Sequence, residues 1–163
     1  ALQTFVPSPA LTPGRMNMFH FHDFSVMIDY AHNTHGFQAI GKFLASVNAS
    51  EKVGIIAGIG DRRDEDIRSL GEEAAKIFDE IIIRQDKNLR GRTENEILEL
   101  MKEGISSVDP NKKITVIRKE SEAIDYAFAH AKKDSFIVIT SDVIPDALEQ
   151  VKAYKAKEDG AKM

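Results

Sequence analysis

Residues 29–35 read DYAHNTH and run into Gly36: one carboxylate, one phenol, two imidazoles and one carboxamide within seven positions. Asp29 closes an apolar run, where a carboxylate can accept hydrogen bonds from a ribose or orient an imidazole. His32 and Asn33 stand where a helix begins, and free N–H groups with the positive end of the helix dipole favour an anion there. The same residues also suit a purely structural use, with Asp29 or Asn33 capping the helix and His32 packing. His32 and His35 lie one helical turn apart, but no Cys or carboxylate framework accompanies them, so no metal is assigned.

Two further segments carry comparable chemistry. In GIGDRRDED, Gly58 and Gly60 permit a tight turn, and Asp64, Glu65 and Asp66 suit a helix N-terminus. Arg62 and Arg63, preceded by Asp61, do not suit it unless they meet a phosphate or a carboxylate. In RQDKNLRGR, the cations Arg84, Lys87, Arg90 and Arg92 surround Asp86 and Gly91. Guanidinium forks read carboxylates and phosphates at two points; a solvated loop of mixed charge is the alternative.

The elements that must position these segments follow from periodicity. Short apolar runs at Val26–Ile28, Val53–Ile56, Ile81–Ile83, Ile114–Ile117 and Phe136–Ile139 alternate with helical patterns. The helices are predicted over Gly36–Val47, Glu65–Ile77, Glu94–Ile105, Ser121–Ala131 and Pro145–Lys157. This alternation predicts an α/β fold: a Rossmann-like, three-layer domain with a mostly parallel sheet. The stretch from Met16 through a turn at His22-Asp23 predicts an N-terminal hairpin, hence an antiparallel edge strand. Right-handed crossovers bring the strand-to-helix loops to one edge, so the three polar segments should meet there as a ligand site. Residues 1–15, with Pro7, Pro9 and Pro13, read as a linker. The domain is expected over 16–158, followed by a frayed tail, 159–163.

Composition narrows the function. The chain has 163 residues, 42% hydrophobic and 29% charged, as expected of one ordinary folded domain. A formal net charge of −4 speaks against a nucleic-acid partner. No apolar run reaches the ~18–20 residues that cross a bilayer, so no membrane partner is expected. With no cysteine, disulfides and thiolate metal sites are excluded, and a cytoplasmic location is expected. Neither a G-x-x-x-x-G-K-[ST] phosphate loop nor a full G-x-G-x-x-G occurs, so any ATP would be held mainly by something else.

The segments TPGRMN, DYAHNTHG, GDRRDEDI and RQDKNLRGR, in this order, resemble the C-terminal domain of the Mur ligase superfamily, ATP-dependent amide-forming ligases. Within it they are most similar to the cyanophycin synthetases, whose patterns run approximately D-Y-A-H-N-P-x-G, G-D-R-R-D and R-x-D-x-x-x-R-G-R. The resemblance spans about Thr12 to Gly104. It implies a lid domain that closes over ATP and Mg²⁺ held mainly by a central ATPase domain of the full-length chain. That lid would position an incoming amino acid or peptide for attack on an acyl phosphate, and would be inactive alone. It implies Asp29, Tyr30, His32, Asn33, Asp61, Arg62 and Arg63 on the nucleotide side of the cleft. Arg84, Asp86, Arg90 and Arg92 would lie on the amino-acid side, and no catalytic residue is assigned. Thr34 replaces the usual proline, and the central domain itself has no counterpart in the chain, whose proline-rich start reads as the junction with it. Alternatives are the lid of another Mur or folylpolyglutamate-type ligase, or a stand-alone nucleotide- or peptide-binding module. Diaminopimelate-adding ligases carry D-N-P-R where this chain has RQDKNLRGR.

Overall fold

Each apolar run predicted as a strand pairs into a sheet in the computed structural model, which describes residues 16–58, 62–85, 91–141 and 143–161. Among these residues the order is β1 (Asn17–His20), β2 (Phe24–Asp29), α1 (Thr34–Ala45), β3 (Lys52–Ile56), α2 (Asp64–Ile77) and β4 (Glu80–Ile83). There follow α3 (Glu94–Val108), β5 (Lys113–Val116), α4 (Glu120–Ala129), β6 (Ser135–Thr140) and α5 (Ile144–Ala161). The sheet order is β1-β2-β6-β3-β4-β5. Only the β1–β2 hairpin is antiparallel, closed by the Phe21 N–H donating to the Phe24 carbonyl. The other neighbours run parallel.

Strand alternation sorts the core into two layers. Met27, Ile56, Ile81, Ile83 and Val138 face α1, α2 and α3, which bring Phe37, Ile40, Leu44, Ile67, Leu70, Ile97 and Met101. Val26, Ile28, Val53, Ile55, Ile82, Ile137 and Ile139 face α4 and α5, which bring Ala123, Ile124, Phe128, Leu148 and Val151. The last strand, SFIVIT, is buried at every position, because it sits between β2 and β3 with helices on both sides. Each such fully buried Ile or Phe contributes roughly 1.5–3 kcal/mol.

Helix ends shift by up to four residues from the sequence pattern, and two of the shifts have a visible cause. α1 starts at Thr34 rather than Gly36, because the Asn33 side chain accepts the Gly36 N–H at 2.8 Å and caps the first turn. α5 continues beyond Lys157 to Ala161, into the tail expected to fray from residue 159. Tertiary contacts explain the extension: Lys155 pairs with Glu158 and Asp159 and lies over the Phe21 ring, and the His22 N–H donates to Glu158 Oε1. The predicted linker, residues 1–15, lies outside the described residues.

Candidate functional site at the carboxyl edge of the sheet

The helices α1, α2 and α3 all start at the edge where β2, β3 and β4 end, so the three polar segments are neighbours there. Asp29, the last residue of β2, is turned onto backbone: Oδ2 accepts the Met16 N–H at 2.9 Å and Oδ1 the Ala31 N–H at 2.8 Å. Its own carbonyl accepts the Ser141 N–H beyond β6. Tyr30 is 46% exposed, and its ring meets that of His32 edge-on. His32 Nδ1 lies 3.1 Å from the Tyr30 carbonyl. This contact fixes the imidazole in a compact turn, just ahead of the free N–H groups of α1.

The second and third segments are joined by one side chain. Arg92 Nη2 donates to the Arg62 carbonyl at 2.8 Å and lies 2.8 Å from Asp64 Oδ1. A cation flanking the start of α2 is thus matched by that helix's own carboxylate. Arg63 is matched likewise, through a two-point hydrogen bond to Asp66. That hydrogen bond raises the Arg63 guanidinium further above its ordinary value and holds the Asp66 carboxyl below its own. Arg63 therefore needs no outside anion. Arg62 differs: among the described residues it makes no ion pair, and it lines a cavity of about 300 Å³ together with His32, Asn33, Thr34, His35 and Asp66. First and second segments share this cavity. An imidazole, a carboxamide and a guanidinium face it beside a helix N-terminus, a combination suited to an anionic or phosphorylated group.

Arg84 lies at the same edge but is turned beneath it. Its side chain is 6% exposed, and Nε and Nη2 both donate to the Thr140 carbonyl while Nε stands 3.3 Å from Glu120 Oε2. It reaches the boundary of a second cavity, about 470 Å³, lined also by Glu94, Arg118, Lys119 and Asp146. Arg84 was expected among the residues that meet substrate; in the fold it ties β4 to β6 and α4, with Ser141 Oγ donating to both Glu120 oxygens. Thr140, Ser141 and Glu120 were not anticipated. The signal was present, since the rule that brings the ends of β2, β3 and β4 to one edge applies equally to β5 and β6. Asp61, Asp86 and Arg90 lie outside the described residues. Among those described, no three His, Asp or Glu side chains gather as a metal centre.

A family model described as "Mur ligase, glutamate ligase domain" matches residues 14–143. The cyanophycin synthetase of Geminocystis herdmanii is 40% identical over 153 residues, covering 94% of this chain and 17% of that protein. A UDP-N-acetylmuramoyl-L-alanyl-D-glutamate–2,6-diaminopimelate ligase of Caldanaerobacter subterraneus is 38% identical over 118 residues, or 72% of this chain and 24% of that one. Among solved structures, E. coli FolC in complex with ADP aligns with a TM-score of 0.69 at 19% identity, over 90% of this chain and 33% of the other. That likeness speaks for the fold alone. The chain spans about a sixth of the length of the cyanophycin synthetases it matches, 17% in the first of them.

Proposed function

We propose a function from one premise: the chain belongs to the Mur ligase glutamate ligase domain family. It serves as the C-terminal lid of an ATP-dependent acid–amino-acid ligase resembling cyanophycin synthetase. A central ATPase domain of the full-length chain holds ATP with its Mg²⁺. There the γ-phosphoryl group passes to a substrate carboxylate, giving ADP and an acyl phosphate. The nitrogen of an incoming amino acid then attacks the acyl carbon, the C–O bond to phosphate breaks, and the nitrogen gives up a proton. The lid closes over these steps, which keeps water from the acyl phosphate.

The observation that carries this reading is the joined rim. His32, Asn33 and Arg62 border one cavity, and Arg92 ties the third segment to the second through the Arg62 carbonyl and Asp64. With the Arg62 guanidinium and the N-terminus of α1, the rim is fitted to stabilise charge on a phosphoryl group delivered from the other side of the cleft. Identities of 36–40% with five cyanophycin synthetases, over 92–94% of this chain, favour that type of ligase.

In the full-length ligase, His32→Ala and Arg62→Ala should each lower kcat/KM for amino-acid-dependent ADP formation about 10–100-fold. The thermal midpoint should stay near that of the parent. Unchanged turnover in both variants would refute the assignment. A panel of amino acids in the same assay identifies the one that is added.

A further inference from the structure

At the edge of the sheet opposite the rim, where β2 and β6 begin and α1 ends, lies a cavity of about 800 Å³. Its size is that of a small-molecule site, and the function proposed above makes no use of it. Asp23, Asp134, His20 and His22 line it, and among the described residues no Lys or Arg does, in a chain that holds 22 of them. Backbone bonds bring the two aspartates together: the Asp134 N–H donates to the Asp23 carbonyl at 2.6 Å, and the Asp134 carbonyl accepts the Ser50 N–H at 2.9 Å. Asp134 is held there in left-handed backbone, φ 65°, a conformation that persists where the surroundings fix it. The neighbouring cations are committed elsewhere. Lys132 stands 3.7 Å from Glu51, and Lys52 donates to the Leu44 carbonyl and lines a separate groove.

Three further features belong to the same cavity. It lies at the C-terminal end of α1, where the helix dipole favours a positive group. Met18, Phe43 and Phe136 give it an apolar wall. Ser135, which also lines it, is 3% exposed, and its Oγ is a buried side-chain oxygen with no hydrogen-bond partner among the described residues. An orphaned oxygen of this kind marks a place that a water or a ligand completes. His20 Nδ1 lies 3.1 Å from Ser25 Oγ, which leaves Nε2 for another partner.

We propose that this cavity is a second ligand site, for an organic cation: a guanidinium or ammonium group on a short apolar stem. The Asp23 and Asp134 carboxylates accept its N–H groups, and a guanidinium can donate to both at once. The stem rests on the apolar wall. A free cationic amino acid and an Arg or Lys side chain of a peptide share this chemistry. None of these residues borders the rim, so the site stands apart from the lid reading.

The test follows backbone amide shifts of this chain by NMR as n-butylguanidinium is added. The comparison is n-butylurea, of the same shape without the charge. Saturable shifts are expected at Ser25, Ser50 and Ser135. Loss of the charge in n-butylurea, and of a carboxylate in Asp134→Asn, should each weaken binding about threefold to tenfold. Asn tolerates left-handed backbone as Asp does, and Asp23→Asn repeats the test without touching Asp134. Arg62→Ala, at the rim, should leave this binding unchanged. Equal affinity for n-butylurea and n-butylguanidinium overturns the proposal, as do shifts confined to the rim, the absence of saturation, or inorganic phosphate saturating the same amides. N-acetyl-arginine methylamide against free arginine then separates the two sources: tighter binding of the blocked form assigns a peptide side chain, and tighter binding of the free form assigns the amino acid. The lid reading is tested separately, by the turnover of His32→Ala and Arg62→Ala.

Discussion

Arg84 commits its guanidinium to the Thr140 carbonyl and the Glu120 carboxylate with 6% of its side chain exposed. Removing the guanidinium takes its charged partner from the Glu120 carboxylate, which is 18% exposed, and its donors from the buried Thr140 carbonyl. Arg84→Ala should therefore destabilise this chain by about 2–4 kcal/mol in denaturant unfolding. Arg84→Met with Glu120→Gln should cost less than Arg84→Ala alone; the reverse order would mean that packing, not charge, dominates. Tyr154 offers a test by pH. Burial, and then its hydrogen bond to Asp125, push its phenol up to about 12 from 10.0. The folded phenol keeps its proton where an unfolded tyrosine has lost it, so its contribution is complete below pH 10 and disappears as pH rises to 12. Tyr154→Phe should flatten the fall of stability across that interval. An identical fall in both proteins would remove Tyr154 as the cause.

At the scale of elements, the rim depends on how closely α2 and α3 approach, since Arg92 precedes one and Asp64 begins the other. Two glycines set that approach. A Cβ at Gly104 would lie 2.0 Å from the Arg68 carbonyl oxygen, and one at Gly71 would lie 2.4 Å from that of Met101. Neither obstacle is a flexible side chain, so the helices must separate to admit a methyl group. Gly104→Ala should cost about 1–3 kcal/mol despite its better helix propensity. Hydrogen exchange at the starts of α2 and α3 should accelerate with it, as Arg92 draws away from Asp64. Stabilisation by Gly104→Ala would show that propensity outweighs the clash. Nothing in the sequence distinguishes these glycines from ordinary helix interruptions, because what makes them necessary is a backbone 36 positions away in the case of Gly104 and Arg68. Capping by Asn33, in contrast, was legible, because it accepts the Gly36 N–H three residues on; Thr93 does the same for Glu96 at the start of α3, a purely local arrangement.

At the scale of the molecule, loops after β2, β3 and β4 lead to helices on one face of the sheet, and those after β5 and β6 lead to the other. On the proposed reading this rim is one side of a cleft whose other side belongs to a central domain. The chain alone should accordingly show no ATP turnover above background in a phosphate-release assay; turnover by the purified chain would end the lid reading. The alternation of apolar runs and helical patterns determined the α/β class, the hairpin and the meeting of three polar segments at one edge, because each rests on local periodicity and on the handedness of crossovers. Which side chains became available to a ligand was decided only in three dimensions. Strand order placed β6 between β2 and β3, and that brought Thr140 within reach of Arg84, 56 residues away, turning a candidate ligand contact into a buried tie. It brought Arg92 onto Asp64 and left Arg62 bordering the cavity. Charge and hydrogen-bonding capacity are properties of a residue, but the partner that takes them up is set by packing between segments distant in the chain.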